Sequence, residues 1–372
     1  MKIVFTIPNL CYSGAPKMLA WVASQMAAKG HEVHIVAFFS DLRLQTLHPN
    51  VIFHCLGIKQ SKSRLHRNTV GMAQNVLKLQ KYVKKEKPDV LVSFLNSSGY
   101  VYLPFSRILN KTKLVISERA DPYTYKGFLA KLRFQLMKYA HGAVFQTDGA
   151  KDFFKDSLKY PSVVIPNPVV VSDDVKELLS VPLPKFEERD NRIVTVGRLS
   201  ISQKRQDVLL KAFEIVHKAH PEMQLAIYGD GVDNKKLQAM INELGLSDCA
   251  FLAGRTSTAE KSIYNARAFA LSSDFEGIPN ALIEALSVGV PSVSTDCSPG
   301  GAALLIQDGE NGYLVPRGDH EALASRLIEL IENKELSERF SQNGPVISER
   351  FSEESIADKW ESFFSDICTP KK

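Results

Sequence analysis

The chain has 372 residues, of which 44% are hydrophobic and 23% charged, a profile that fits two or three globular domains and excludes a disordered or fibrous chain. Five cysteines (Cys11, Cys55, Cys249, Cys297, Cys368) form no CxxC pair and make an odd count, which argues against a disulfide framework and for free thiols in a reducing compartment. The net charge of +5 hides an asymmetry: residues 1–170 hold 24 Lys and Arg against 9 Asp and Glu, and residues 171–372 hold 22 against 32.

The opening run 2–7, Lys-Ile-Val-Phe-Thr-Ile, ends at Pro8. It is too short for a secretory leader and reads as a first buried strand. Further strands are predicted at 33–38, 51–56, 90–94, 114–117, 143–146 and 163–165, with helices at 15–29, 69–85 and 127–139 between them. Continuous β-branched runs bounded by turns suit a parallel sheet buried on both faces. A stretch at 169–190 with Pro182, Pro184 and a charge run has no clear periodicity and is expected to be a linker. The second half repeats the alternation, with strands at 192–196, 224–228, 250–252, 268–271, 292–295 and 313–315 and helices at 206–219, 234–244, 279–288 and 321–333. A last helix at 355–366 carries Trp360, Phe363 and Phe364 on one face. The expected architecture is therefore α/β, with two doubly wound Rossmann-like domains at 1–168 and 191–350 facing a cleft, and a C-terminal helix in 351–372 that can return to the first domain. No run approaches the roughly 18–20 apolar residues of a membrane-spanning helix, so a cytoplasmic protein is expected.

The run 275–285, Phe-Glu-Gly-Ile-Pro-Asn-Ala-Leu-Ile-Glu-Ala, is the most informative. Pro279 suits the first position of a helix and Gly289 its stop. Glu276 then sits just before the helix and Glu284 in its second turn, about 7–8 Å along the axis from Pro279. The amides of Asn280, Ala281 and Leu282 are expected to point outward and receive a phosphate, with a carboxylate on each side able to hold hydroxyl groups. The plain alternative is a helix-start acid and a solvated Glu. That alternative is weaker for Glu284, which is flanked by Ile283 and Ala285 in an apolar helix. A second candidate, Gly197-Arg198-Leu199-Ser200-Ile201-Ser202-Gln203-Lys204, follows the first strand of the second domain. There Arg198 and Lys204 can neutralise a diphosphate; in isolation they would read as two surface cations. Gly229-Asp230-Gly231, after another strand, is a third glycine-rich turn.

This set resembles glycosyltransferase family 4, retaining enzymes of the two-domain B-type fold that include bacterial polysaccharide and lipid-linked oligosaccharide glycosyltransferases. The resemblance rests on Gly197-Arg198 with Lys204, Gly229-Asp230-Gly231, Ser273-Asp274-Phe275-Glu276-Gly277, the Glu276–Glu284 pair and the late run Asp308-Gly309-Glu310-Asn311-Gly312-Tyr313. It implies that Arg198 and Lys204 bind the donor diphosphate, Glu284 the ribose, and that Glu276 lies at the donor sugar. Gly197, Gly229, Gly277, Ile278, Asn280, Ala281 and Leu282 would line the donor site. It also implies no metal and no cofactor beyond a nucleotide diphosphate sugar, with UDP favoured. Tyr12-Ser13-Gly14-Ala15-Pro16 is similar to the family's Gly-Gly-Ala-Glu loop, which would bring Gly14 and Ala15 to the donor; Ser13 and Pro16 depart from it. Ser117-Glu118-Arg119 resembles a segment that often carries Ser-Glu-His, which places Glu118 and Arg119 on the acceptor side. The alternative is that Glu118 holds Arg119 as a surface pair. In the run 298–304, Leu304 stands where many members have Glu.

Rival readings lack support. A dehydrogenase needs GxGxxG after the first strand, and this loop offers only Gly14. A nucleotide-sugar epimerase on the same fold stays open. The basic run at 59–67, Lys-Gln-Ser-Lys-Ser-Arg-Leu-His-Arg, prompts a nucleic-acid reading but has no recognisable binding module, so no nucleic-acid partner is expected. His31 and His34 lie three apart without zinc-ligand spacing. The basic first half, including residues 78–87 and 126–139, points to an anionic membrane surface. A peripherally attached protein with a lipid-linked glycan acceptor follows.

Overall fold

The computed structural model describes residues 1–11, 14–43, 45–58, 71–94, 102, 104, 112–170, 173–256 and 259–369. The basic run at 59–67 and the loop residues Tyr12 and Ser13 lie outside them. The chain forms two compact units: Met1–Asn167 with Glu354–Lys372, and Pro168–Glu353.

Unit 1 is built on seven parallel strands in the order β3-β2-β1-β4-β5-β6-β7. These are β1 (Lys2–Ile7), β2 (Glu32–Ala37), β3 (Val51–Cys55), β4 (Val90–Phe94), β5 (Lys113–Ser117), β6 (Gly142–Phe145) and β7 (Ser162–Val164). The unbroken apolar runs of β1 and β4 explain their central places, since every residue of β4 and all of β1 after Lys2 is buried. The intervening helices are α1 (Gly14–Ala28), α2 (Met72–Glu86), α3 (Gly127–Met137) and α4 (Asp148–Phe153). The last is capped by Thr147, whose side chain accepts from the Ala150 amide.

Unit 2 has six parallel strands in the order β10-β9-β8-β11-β12-β13. They are β8 (Asp190–Val196), β9 (Gln224–Tyr228), β10 (Ala250–Gly254), β11 (Ala266–Leu271), β12 (Ser292–Thr295) and β13 (Tyr313–Val315). Its helices are α5 (Asp173–Leu179), α6 (Ile201–Lys204), α7 (Gln206–Ala219), α8 (Asn234–Glu243), α9 (Ala259–Ile263), α10 (Asn280–Ser287), α11 (Gly301–Leu305), α12 (His320–Glu332), α13 (Lys334–Asn343) and α14 (Ile347–Arg350). The apolar stripes of α7 (Leu209, Phe213, Val216) and α12 (Leu323, Leu327, Leu330) share one core with the sheet. Both units therefore have the expected Rossmann-like layout.

The stretch 169–190 is not the plain linker its sequence suggested. It contains α5, and it is held to unit 2 by backbone and guanidinium bonds. The buried Arg189 donates to the carbonyls of Tyr264, Ala266 and Gly289 and to Ser341 Oγ at 2.8–3.1 Å. These are contacts at long sequence separation, invisible to a local reading.

The C-terminal helix α15 (Glu353–Cys368) belongs to unit 1 from Glu354 onward. Trp360 and Phe364 are buried there against Phe94 and Phe5, with ring centroids 6.5 and 6.2 Å apart. Gly142 in β6 makes room for the helix, because a Cβ there would stand 2.1 Å from Ile367 Cδ1. At the rim Lys29 pairs with Asp358 and Glu361 at 2.7 and 2.9 Å, and His31 meets Glu361. His31 is thus a packing residue. His34 likewise bonds Tyr82, and its neighbours Glu32 and Glu86 already share the Lys2 ammonium at 2.9 and 2.7 Å. All five cysteines are free.

Candidate functional site

In unit 2 the strand order reverses between β8 and β11, which are hydrogen-bonded neighbours running parallel. Their carboxyl ends therefore open into one crevice, the usual ligand position of a doubly wound sheet. The loop after β8 supplies Arg198 and the short helix α6 that follows supplies Lys204; the loop after β11 supplies Glu276. Lys204 Nζ is ion-paired with Glu276 Oε1, and Ser273 Oγ donates to the same oxygen at 2.8 Å. Glu276 is 8% exposed and Ser273 fully buried.

The pair is held by main-chain bonds at both ends. Lys204 O accepts from Ser272 Oγ at 2.8 Å, and Gln203 O accepts from the Asp274 amide at 2.9 Å. The Glu276 amide donates to Ser298 O at 2.8 Å, and Thr295 Oγ1 donates to Ser273 O at 2.5 Å. Arg205, at φ +48, bonds Asp274 and Asp207 at 2.9 and 3.1 Å and so turns the chain from α6 into α7. Behind the carboxylate, burial and then the Glu276 charge push the Cys297 thiol up to about 12.

Glycines bring the loops together. A Cβ on Gly229, which has φ +141, would lie 1.8 Å from Gly197 O, and one on Gly301 would lie 2.2 Å from Gly277 O. Gly231 approaches Leu199 O in the same way, at 2.2 Å. The loops after β8, β9 and β11 and the turn before α11 are therefore in backbone contact, which only glycine permits. Arg198 is exposed and has no side-chain bond among the described residues, while its carbonyl accepts from Gln206 Nε2 at 2.8 Å.

Helix α10 follows, with two corrections to the sequence reading. Pro279 is the residue before the helix, not its first, because its φ, ψ of −75°, 98° are extended. The Leu282 amide does not point outward, since it donates to Pro279 O at 3.0 Å. Gly289, at φ +67, ends the helix as expected. Ile278 is buried, and Asn280, Ala281 and Glu284 are half-buried around the first two turns.

A switch-point crevice with two cations, a buried carboxylate and a helix start beside it is where a doubly wound sheet can take an anionic ligand. The model for "Glycosyltransferase Family 4" matches residues 12–173, and that for "Glycosyl transferases group 1" matches residues 182–346. The chain belongs to this glycosyltransferase family. An uncharacterized glycosyltransferase of Methanocaldococcus jannaschii is 29% identical over 76% of this chain and 80% of its own. A Campylobacter jejuni "GalNAc-alpha-(1->4)-GalNAc-alpha-(1->3)-diNAcBac-PP-undecaprenol alpha-1,4-N-acetyl-D-galactosaminyltransferase" is 26% identical over 99% of each chain. Among solved structures, Anabaena HepE in complex with UDP-glucose superposes with a TM-score of 0.75 at 17% identity, covering 98% of this chain and 100% of that one. This last likeness is one of fold.

In unit 1 of this glycosyltransferase, Gly14 and Ala15 open α1 directly after the β1 loop. Glu118 and Arg119 follow β5, but they do not form the surface pair that their adjacency allowed. Glu118 is 1% exposed and turns to Arg133 Nη2 at 2.6 Å and Tyr125 Oη at 2.8 Å. Arg119 is 8% exposed and donates to Asn167 Oδ1. Both residues lie just past the end of β5, and their side chains take different partners. Leu304 lies half-buried in α11.

Two groups important to the site escaped the sequence reading. Ser273 has no role assigned in the motif 273–277, and Gly301 lies within the run 298–304. Ser-x-x-Glu spacing at a strand end was the available signal for the first. The second depends on contact with Gly277, 24 positions earlier in the chain, and had no local signal.

Proposed function

We propose that this glycosyltransferase moves a hexose or N-acetylhexosamine from a UDP-linked donor to a lipid-linked glycan, with retention of configuration and without a metal. The observation that carries this reading is the ion pair of half-buried Lys204 with buried Glu276 at the β8/β11 switch point, with exposed Arg198 in the same segment after β8. Lys204 and Arg198 take the diphosphate and offset the charge that grows as the donor bond breaks. Glu276 lies at the donor sugar and Glu284 at the ribose, with Gly197, Gly229, Gly277 and the α10 start lining the site. Gly14 and Ala15 are assigned to the donor, and Glu118 and Arg119 to the acceptor side. The names of relatives support the acceptor and the stereochemistry: two Campylobacter jejuni enzymes at 25–26% identity are named as alpha-N-acetylgalactosaminyltransferases acting on undecaprenol-linked sugars. The HepE and TarM structures contain UDP or UDP-glucose, which supports the donor.

A panel of UDP-, GDP- and ADP-sugars, with the product followed by NMR, tests this directly. An α-linked product from an α-linked UDP-sugar, formed equally in EDTA, is the expected result. A β-linked product, or activity lost in EDTA and restored by magnesium or manganese, contradicts it. Donor consumed without any acceptor-linked product favours an epimerase.

Attachment of unit 1 to the inner face of an anionic membrane belongs to the same proposal. Among the described residues no helix is long and apolar enough to cross a membrane. On and beside α3, Leu132 (36% exposed) and Tyr139 (44%) lie next to exposed Lys131 and Lys138. On α2, Lys78, Lys81, Lys84 and Lys85 are exposed. Each such cation contributes about 1 kcal/mol near an anionic leaflet. The protein should float with anionic liposomes at low salt and be released at high salt; equal recovery with neutral vesicles rejects the attachment.

A further inference from the structure

Arg119 stands just past the carboxyl end of β5, and its surroundings come from the ends of the neighbouring strands. Phe94 closes β4, Gln146 follows β6, and Asn167 lies past β7. The guanidinium lies over the Phe94 ring, 5.1 Å from its centre, and its Nη2 donates to Asn167 Oδ1. With the Gln146 amide oriented to satisfy both its ends, Gln146 donates to the Arg119 carbonyl at 3.0 Å and accepts from Nη2 at 3.3 Å. Two donors remain: Arg119 Nε and Nη1 are buried and meet no acceptor.

Among the described residues no carboxylate forms an ion pair with this cation. The neighbouring Glu118 carboxylate pairs with Arg133 and accepts from Tyr125 Oη. Every other Asp and Glu of unit 1 is among the described residues, and none forms an ion pair with Arg119; no residue outside the described set is acidic. Burial pushes the guanidinium down to about 9, a cost opposed by the nearby Glu118 charge. A buried cation with unmet donors is unfavourable unless an anion completes it. The carboxyl end of a doubly wound sheet is also where ligands of such folds enter. A guanidinium is always charged and suits an oxyanion.

We propose that Arg119 receives an oxyanion carried by the sugar that unit 1 binds, a phosphoester or a carboxylate, and so restricts the enzyme to anionic acceptors. This rests on the reading of unit 1 as the acceptor side.

The test uses the full chain with saturating UDP, which occupies the donor diphosphate site. N-acetylglucosamine 1-phosphate, glucuronate and neutral methyl N-acetylglucosaminide are titrated by calorimetry at low salt into wild type, Arg119→Gln and Arg119→Lys. At least one anionic sugar should bind wild type tenfold or more tighter than the neutral one. Whether it is the phosphate or the uronate identifies the source of the charge. Arg119→Gln should lose the preference with the neutral sugar unaffected, and Arg119→Lys should keep part of it. Equal binding of anionic and neutral sugars to wild type overturns the proposal, as does a preference that survives in Arg119→Gln. Should that variant fail to fold, the wild-type preference and its reduction in Arg119→Lys decide the matter. UDP affinity is measured in every protein. Failure of wild type to bind UDP strikes the donor reading, whereas lost discrimination with UDP binding intact strikes only this inference.

Discussion

Lys204→Ala should lower turnover on the order of 100-fold or more, the scale for removing one preorganised charge at a reacting centre. The ammonium has a second task besides the donor, because it neutralises Glu276, whose side chain is only 10% exposed. Without it the carboxylate keeps Ser273 Oγ as its side-chain partner. A largely buried charge left in this way is costly and disturbs its own position. Arg198→Ala should fall on the same scale, but for a different reason. Its side chain makes no bond that shapes the loop, so its loss removes charge from the donor alone. Glu276→Ala should be severely impaired, whereas Glu284→Ala should mainly weaken donor binding. The measurement is kcat and KM for the donor in purified variants whose unfolding curves match wild type. Near-normal rates in both Lys204→Ala and Arg198→Ala would remove the basis of the donor assignment.

Trp360→Ala should destabilise unit 1 by about 3–5 kcal/mol, the range for emptying a buried aromatic site. The side chain is 1% exposed and sits between Phe94 and Phe364, so little can relax into the gap. For a unit of this size each kcal/mol is worth about 2–4 °C in melting temperature, and a drop on the order of 10 °C is expected by calorimetry. On the donor reading most of the residues that hold UDP, Arg198, Lys204, Glu276 and Glu284 among them, lie in unit 2, so its affinity should change little in the variant below the transition. A melting temperature within about a degree or two of wild type, against that same scale, would mean that α15 does not carry unit 1. Loss of UDP affinity at temperatures where the variant is folded would mean that the helix serves the donor site instead.

Much of the fold was legible because its signals are local. Largely apolar runs of three to six residues ending at turns marked β1, β4, β9, β12 and β13 to the residue, and the periodic apolar stripe marked α7 to the residue. Buried parallel strands have to be continuous apolar runs, and an amphipathic helix has to repeat near every 3.6 residues, so each can be read without its neighbours. Short helices such as α5, α9 and α11 were missed, since five to seven residues give too little periodicity and their stability comes from packing.

The donor residues were legible as types in order: a Gly-Arg after one strand, a Glu–Gly before one helix. What the sequence could not state is that Lys204 and Glu276, 72 positions apart, share a charge. That follows from the sheet order, in which β8 and β11 are neighbours, and sheet order is a property of the tertiary structure alone. Gly229 and Gly301 are of the same kind, ordinary turn glycines in sequence and contact points between backbones in space. Arg119 is the sharpest case. By itself the sequence determined that an arginine stands beside a glutamate at the end of a strand, and adjacency suggested a pair. Only the tertiary structure decided otherwise, because the fold brings Arg133, 15 positions away in sequence, onto the glutamate, and the arginine is buried without an ion pair among the described residues.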